Sequence, residues 1–246
     1  MFYVIGDIHG CYDELQSMLE KIEFSPKEDK MFFVGDYIDR GKDSYKMLRW
    51  LDSNMKSDCY HFLKGNHEAE FIAYVDLLNS VDSELSPLEV CNRLAERSEY
   101  YDMYGTIRHM LSDEATKKKT PLTRWANMLR TMPTHAHFHY KHNNYLITHA
   151  GYKPSLSDDE KEDFCLYARE KAYTEGGLRN TIVIAGHTPT LIKGEFVYNH
   201  GNVFEHHDDE KGCTFYDIDC GCCFKGKDPD AKLACIRLDD KQIFYT

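Results

Sequence analysis

No stretch of the 246-residue chain approaches the roughly 20 apolar residues that a membrane-spanning helix needs. The chain enters a strand-like run at once, without the charged segment that precedes a signal-peptide core, so no membrane association is expected and the reading is a cytoplasmic protein. Basic residues are in the minority: 30 Lys and Arg stand against 41 Asp and Glu, a net charge of −11. That balance lacks the basic footprint of a nucleic-acid binder, and no nucleic-acid partner is expected. The nine cysteines are an odd number scattered from Cys11 to Cys235, poor material for a disulfide framework and compatible with a reducing compartment. Cys220-Gly221-Cys222-Cys223 lacks the second spaced pair of a zinc site and reads as buried small side chains on a strand. Internal repeats and low-complexity linkers are missing too, and a chain that is 42% apolar and 29% charged suits one α/β domain over residues 1–246.

What is present is a recurring strand end. Met1-Phe2-Tyr3-Val4-Ile5 runs into GDIHG, Met31-Phe32-Phe33-Val34 into GDYIDRG, Tyr60-His61-Phe62-Leu63 toward GNHE, Tyr145-Leu146-Ile147 through Thr148 into HAG, and Thr181-Ile182-Val183-Ile184-Ala185 into GHTP. Short runs rich in β-branched and aromatic residues, each stopped by glycine and polar residues, predict buried strands. Each delivers Asp, Asn or His at its end, and Gly6, Gly35, Gly65 and Gly186 are expected to let the backbone turn sharply there.

Helical stripes follow the first three: Leu15, Met18, Leu19 and Ile22; then Leu48, Leu51 and Met55 behind a cap at Asp43 or Ser44; then Phe71, Tyr74, Val75 and Leu78. This alternation predicts a mainly parallel sheet with helices packed on it. From about 82 to 133 a helical insert is expected, with Ser86-Pro87-Leu88-Glu89 as a capping box, Lys117-Lys118-Lys119 as a solvated turn, and Trp125, Met128, Leu129 and Met132 as a stripe. Residues 135–142 read as a half-exposed strand, the acidic run 158–163 as a solvated loop, 194–212 as a long loop, and the strands after 213 as an antiparallel meander.

If the strand ends meet along one edge, Asp7, His9, Asp36, Asn66, His149 and His187 converge. Asp7 and His9 are two apart and project to one side of an extended segment. Oxygen and imidazole ligands without cysteine suit Mn, Fe or Zn better than calcium. Six ligands are too many for one tetrahedral ion but suit two metals roughly 3.5–4 Å apart, bridged by a carboxylate, with Asp36 as the natural bridge.

Taken together, GDIHG, GDYIDRG, GNHE, HAG and GHTP resemble the five signatures of the phosphoprotein phosphatase branch of the calcineurin-like metallophosphoesterases, as in bacterial and phage-type serine/threonine phosphatases. Asp217-Ile218-Asp219-Cys220-Gly221 resembles the strand and turn that follow in bacterial members; the helical insert is not matched. The resemblance implies an α/β fold, a β-sandwich flanked by helices. It implies two divalent ions, Mn²⁺ foremost with Fe or Zn as alternatives, one held by Asp7, His9 and Asp36 and the other by Asp36, Asn66, His149 and His187. It further implies that His67 protonates the leaving group, that Asp39 orients His67, and that Arg40 and Arg169 hold the phosphoryl oxygens. The implied activity is phosphomonoester hydrolysis by in-line attack of water, on a phosphorylated protein or a small phosphoester, foremost as a serine/threonine phosphatase. GDIHGCYDEL and the CGCC segment also resemble the symmetrical bis(5'-nucleosyl)-tetraphosphatases, the alternative, against which Asp39 and GHTP weigh. A catalytically dead binding module is the third reading, and no ligand is lost to favour it.

Overall fold

The strands Phe2–Ile5, Lys30–Phe33 and Thr181–Ala185 are largely buried on both faces, and alternation along them divides their side chains between two cores. In β1 (Phe2–Ile5), Tyr3 and Ile5 face a core shared with helices while Val4 faces a second sheet. In β6 (Thr181–Ala185), Ile182 and Ile184 meet that same inter-sheet core while Val183 and Ala185 point outward to a third cluster. The computed structural model describes residues 1–80, 89, 106–107 and 119–246.

The first sheet has the order β10-β9-β1-β2-β3. β2 (Lys30–Phe33) lies parallel to β1 and to β3 (Tyr60–Phe62), whereas β9 (Ala234–Arg237) joins β1 antiparallel and β10 (Ile243–Tyr245) joins β9 antiparallel. The second sheet has the order β4-β5-β6-β8-β7, with β5 (Asn143–Thr148), β6 and β8 (Cys213–Asp217) parallel and β4 (His135–Tyr140) and β7 (Phe204–Asp208) on antiparallel edges. The two mixed sheets pack face to face through Val4, Phe32, Val34, Ile147, Ile184 and Ile236.

Helices α1 (Tyr12–Lys21), α2 (Ser44–Asn54) and α3 (Asn66–Ser80) cover the outer face of the first sheet with the predicted stripes; Leu15, Met18, Leu48, Leu51, Phe71, Tyr74, Val75 and Leu78 are buried. Asp43 occupies the N-cap of α2 without a side-chain capping bond, and the Ser44 hydroxyl instead accepts the Asp39 N–H at 2.9 Å. In α4 (Lys119–Arg130), Trp125 and Leu129 are buried against α3, with Met132 just beyond the helix. The expected capping box, apart from Glu89, and Lys117-Lys118 lie outside the described residues.

Several expectations need correction. Both sheets are mixed: β9 and β10 join the β1 side of the first antiparallel instead of forming a meander with β8, and β4 and β7 lie antiparallel on the edges of the second. The segment read as a long loop contains β7, whose sequence FEHHD has too little apolar character to announce a strand. The acidic run begins α5 (Asp158–Tyr167), started by a Ser157/Glu160 capping box, and its carboxylates favour the first turn of a helix. A short α6 (Lys171–Thr174) follows. Cys222 and Cys223 sit in a 3₁₀ turn (Cys222–Phe224) and not on a strand.

Candidate metal centre

The carboxyl ends of β1, β2, β3, β5 and β6 open on the same edge of the sandwich, and the six predicted ligands meet there, all but His187 buried. The backbone that carries them is contorted. His9 (φ 45°), Asp36 (φ 52°), Asp39 (φ 69°), Arg40 (φ 63°) and His187 (φ 74°) all occupy the left-handed region, at a cost of about 1 kcal/mol or more each. Among the four glycines expected to turn the chain, only Gly35 uses a positive φ, of 114°. The others are there for closeness: a Cβ on Gly186 would lie 1.9 Å from Asp7 Oδ1, one on Gly65 would lie 2.2 Å from Asp36 Oδ1, and one on Gly6 would lie 2.3 Å from the Ile218 carbonyl.

The ring tautomers follow from the hydrogen bonds. His9 Nδ1–H donates to the Ile38 carbonyl (2.9 Å) and His149 Nδ1–H to the Val34 carbonyl (3.1 Å), so in both rings the Nε2 lone pair faces the site. His149 Nε2 lies 3.0 Å from Asn66 Oδ1 and 3.5 Å from Asp36 Oδ1; His187 Nδ1 lies 3.1 Å from the same amide oxygen. Asn66 Nδ2 donates to Glu70 at 3.3 Å, which turns the amide oxygen toward the imidazoles. His9 Nε2 is 3.3 Å from Asp36 Oδ2 and also accepts from the Arg40 guanidinium at 3.0 Å.

Burial keeps these imidazoles neutral. It pushes His9 down to about 3 against the pull of Asp36, with the Arg40 and His67 charges adding to the fall. Burial likewise lowers His149, and lowers His187 well below its ordinary value with help from His149. Neutral lone pairs directed at a carboxylate and an amide oxygen repel one another unless a cation lies between them, and the donor set fits divalent ions.

His67 differs from the other histidines. Its Nδ1 bonds Asp39 Oδ2 at 2.7 Å, and its Nε2 is 3.9 Å from Asp36 Oδ2. Burial pulls its pKa down, but Asp36 and the Asp39 hydrogen bond overcome that and raise it to about 9. Ligand atoms cluster as His9, Asp36 and His67 on one side and Asp36, His149 and His187 on the other, with Asp36 in both. Asp7 falls outside these tight groups: its Oδ2 accepts the His187 backbone N–H at 3.0 Å, while its Oδ1 is buried without a hydrogen-bond partner.

Glu68 and the Asp217/Asp219 pair were not foreseen. The Glu68 carboxylate accepts the backbone N–H groups of Asp36 (2.8 Å), Tyr37 (2.9 Å) and Gly65 (2.9 Å), clamping two motifs together. Burial, reinforced by Asp36, raises its pKa to about 8, against those N–H donors. Its place in GNHE was the available signal. Asp219, two residues beyond β8, is raised to about 6, chiefly by burial. Asp7 is raised well above its usual range by burial, then by Asp219, Asp36 and Asp217.

Beside the predicted ligands opens a cleft of about 530 Å³ lined by Arg40, Asn66, Arg169, His187, Phe224 and Lys227 among others. Both predicted arginines reach it. Arg169 is half-exposed with Glu195 Oε1 3.9 Å away.

A family model for calcineurin-like phosphoesterases matches residues 1–220. The symmetrical bis(5'-nucleosyl)-tetraphosphatase of Erwinia tasmaniensis is 42% identical over 71 residues, 29% of this chain and 25% of that protein. Its counterpart from Haemophilus influenzae is 28% identical over 153 residues, 62% of this chain and 44% of that protein. The matches thus span a quarter to less than half of those relatives. A crystal structure provisionally described as a diadenosine tetraphosphatase shares the fold, with a TM-score of 0.59 at 18% identity over 100% of this chain and 92% of that one.

Proposed function

From the premise that the chain belongs to the calcineurin-like phosphoesterase family, we propose that it is a metal-dependent hydrolase of dinucleoside tetraphosphates, splitting each into two nucleoside diphosphates. The observation that carries the reading is the convergence of neutral imidazole lone pairs, the Asn66 oxygen and the Asp36 carboxylate beneath a cleft walled by Arg40, Arg169 and Lys227. The relatives that match the chain support the substrate class and move it away from the phosphoprotein suggested by the five motifs.

Asp7, His9 and Asp36 would hold one divalent ion and Asp36, Asn66, His149 and His187 the other, with Mn²⁺ suited to this oxygen and nitrogen set. The partnerless Asp7 Oδ1 has the electron pairs such a role requires. When bound, the ions supply Lewis acidity toward the phosphoryl oxygens and lower the pKa of water.

The chain's own residues do the rest. Arg40 and Arg169 bind equatorial phosphoryl oxygens and hold the phosphorus in line for water attack. The bond from the attacked phosphorus to its bridging oxygen breaks, and the electron pair leaves with that oxygen as one nucleoside diphosphate. His67 Nε2–H, kept protonated by Asp39 on Nδ1, stands ready to donate to the departing oxygen. Asp39 is the specific observation that favours a second reading: an acid so firmly maintained suits a serine or threonine alkoxide, a poorer leaving group than a diphosphate.

Chromatography of diadenosine tetraphosphate incubated with Mn²⁺-loaded protein tests the choice. ADP as the sole nucleotide product is expected. Untouched tetraphosphate alongside a dephosphorylated phosphoserine peptide would overturn the substrate reading in favour of the second.

A further inference from the structure

The segment after β8 brings an aromatic ring and a cation to the lining of the cleft that Asn66 and His187 also line. Phe224 is partly buried, lines the cleft, and stacks on no other ring among the described residues. Lys227, three residues on, is exposed on the same wall and has no ion-pair partner among the described residues. The turn is held from several sides. The Lys227 and Asp228 N–H groups both donate to the Phe224 carbonyl, at 2.9 and 3.0 Å. Lys225 pairs with Glu14 at 2.6 Å, and the Thr190 N–H donates to the Asp219 carbonyl at 2.9 Å, fastening the base of the turn to the segment after GHTP. Pro189 of GHTP and the exposed Ile192 just beyond it line the same cleft.

We infer that Phe224 and Lys227 form a nucleotide-recognition subsite, in which Lys227 binds a phosphate beyond the reacting phosphorus and the Phe224 ring stacks on the base. The inference rests on the substrate class proposed above and names the residues that read it. A fixed flat ring beside a cation matches a ligand that carries a flat heterocycle a few bonds from an anion. Stacking on a ring already held in place loses little conformational entropy. A bare phosphoryl group has no use for the ring. Phe224 therefore separates nucleotides from simple phosphates, while Lys227 serves both.

Inhibition of p-nitrophenyl phosphate hydrolysis by the Mn²⁺-loaded enzyme, at fixed free Mn²⁺, tests this with two probes: ADP, and methylenediphosphonate, which has the phosphorus groups without the nucleoside. Phe224→Leu keeps an apolar side chain against Gly221 and so preserves the turn. It should raise the inhibition constant for ADP about tenfold, within the range for a lost base–aromatic stack, and that for methylenediphosphonate less than about twofold. Lys227→Gln should raise both constants by similar factors. An ADP constant within about twofold of wild type in both Phe224→Leu and Phe224→Ala would overturn the subsite. If Phe224 discriminates ADP as expected while diadenosine tetraphosphate is left uncut, the subsite stands and the proposed reaction falls.

Discussion

Gly186→Ala places a methyl group where the structure leaves least room for one. The added Cβ would sit 1.9 Å from Asp7 Oδ1 and 3.1 Å from Val34 Cγ2, so the carboxylate must retreat by about 1 Å or more to reach ordinary contact. Gly186 has no positive φ, and the cost is therefore steric, free of backbone strain. Asp7 has little room to move, because its other oxygen is held by the His187 N–H and both are fixed to strand ends. Overpacking of this kind costs about 1–3 kcal/mol. At so short a contact the upper half of that range is expected, or about 4–12 °C in the melting temperature of a chain this size. Urea unfolding of metal-stripped Gly186→Ala, Asp7→Ala and the double variant forms a cycle in which removing the carboxylate relieves the clash. A coupling energy of about 1–3 kcal/mol is expected, with fewer bound metal equivalents in Gly186→Ala by elemental analysis. Additivity within about 0.5 kcal/mol, with an unchanged metal content, would refute the placement of Asp7 Oδ1 against Gly186.

Glu68→Ala leaves three buried N–H donors unpaired at about 1–3 kcal/mol each, enough to threaten folding of the whole domain; a urea midpoint close to wild type would contradict the clamp. Asp36→Asn should lose more metal than Asn66→Asp, because it removes charge from both clusters while the second change keeps an oxygen ligand; equal stoichiometry by elemental analysis would deny the bridge. His67→Asn should keep its metal content yet lose about 10²–10⁴-fold in kcat/KM on phenyl phosphate, whose phenolate is a poor leaving group, and distinctly less on p-nitrophenyl phosphate, whose leaving group needs no proton. Equal losses on the two substrates, or a missing ion, would make His67 a ligand, as its proximity to His9 and Asp36 allows.

The meeting of the candidate ligands at one edge was legible because each strand announces itself as an apolar run stopped by polar residues, glycine coming just before Asp7, Asp36, Asn66 and His187 and Thr148 just before His149. The partition of the later strands was not. Cys213–Asp217 and Ala234–Arg237 carry similar apolar character, and nothing local says that the first extends one sheet parallel to β6 while the second crosses to the other and pairs antiparallel with β1. Phe204–Asp208 is a half-exposed edge strand whose histidines and acids mask its period. Gly35 turns the chain as expected, but at Gly65 and Gly186 the missing Cβ instead makes way for a carboxylate oxygen, and His9, Asp36, Asp39, Arg40 and His187 also take left-handed backbone. Glu68 escaped notice because its work is done by backbone partners 31 and 32 residues away, which no helical stripe reports.

Titration of metal-stripped protein with Mn²⁺, reading bound ions by elemental analysis and ADP released from diadenosine tetraphosphate in the same samples, bears most directly on the two-metal hydrolase. Negligible activity before addition, saturation at two equivalents per chain, and activity that rises as the second equivalent binds are predicted. Full activity in protein shown to contain no metal, or saturation at a single equivalent, would contradict it.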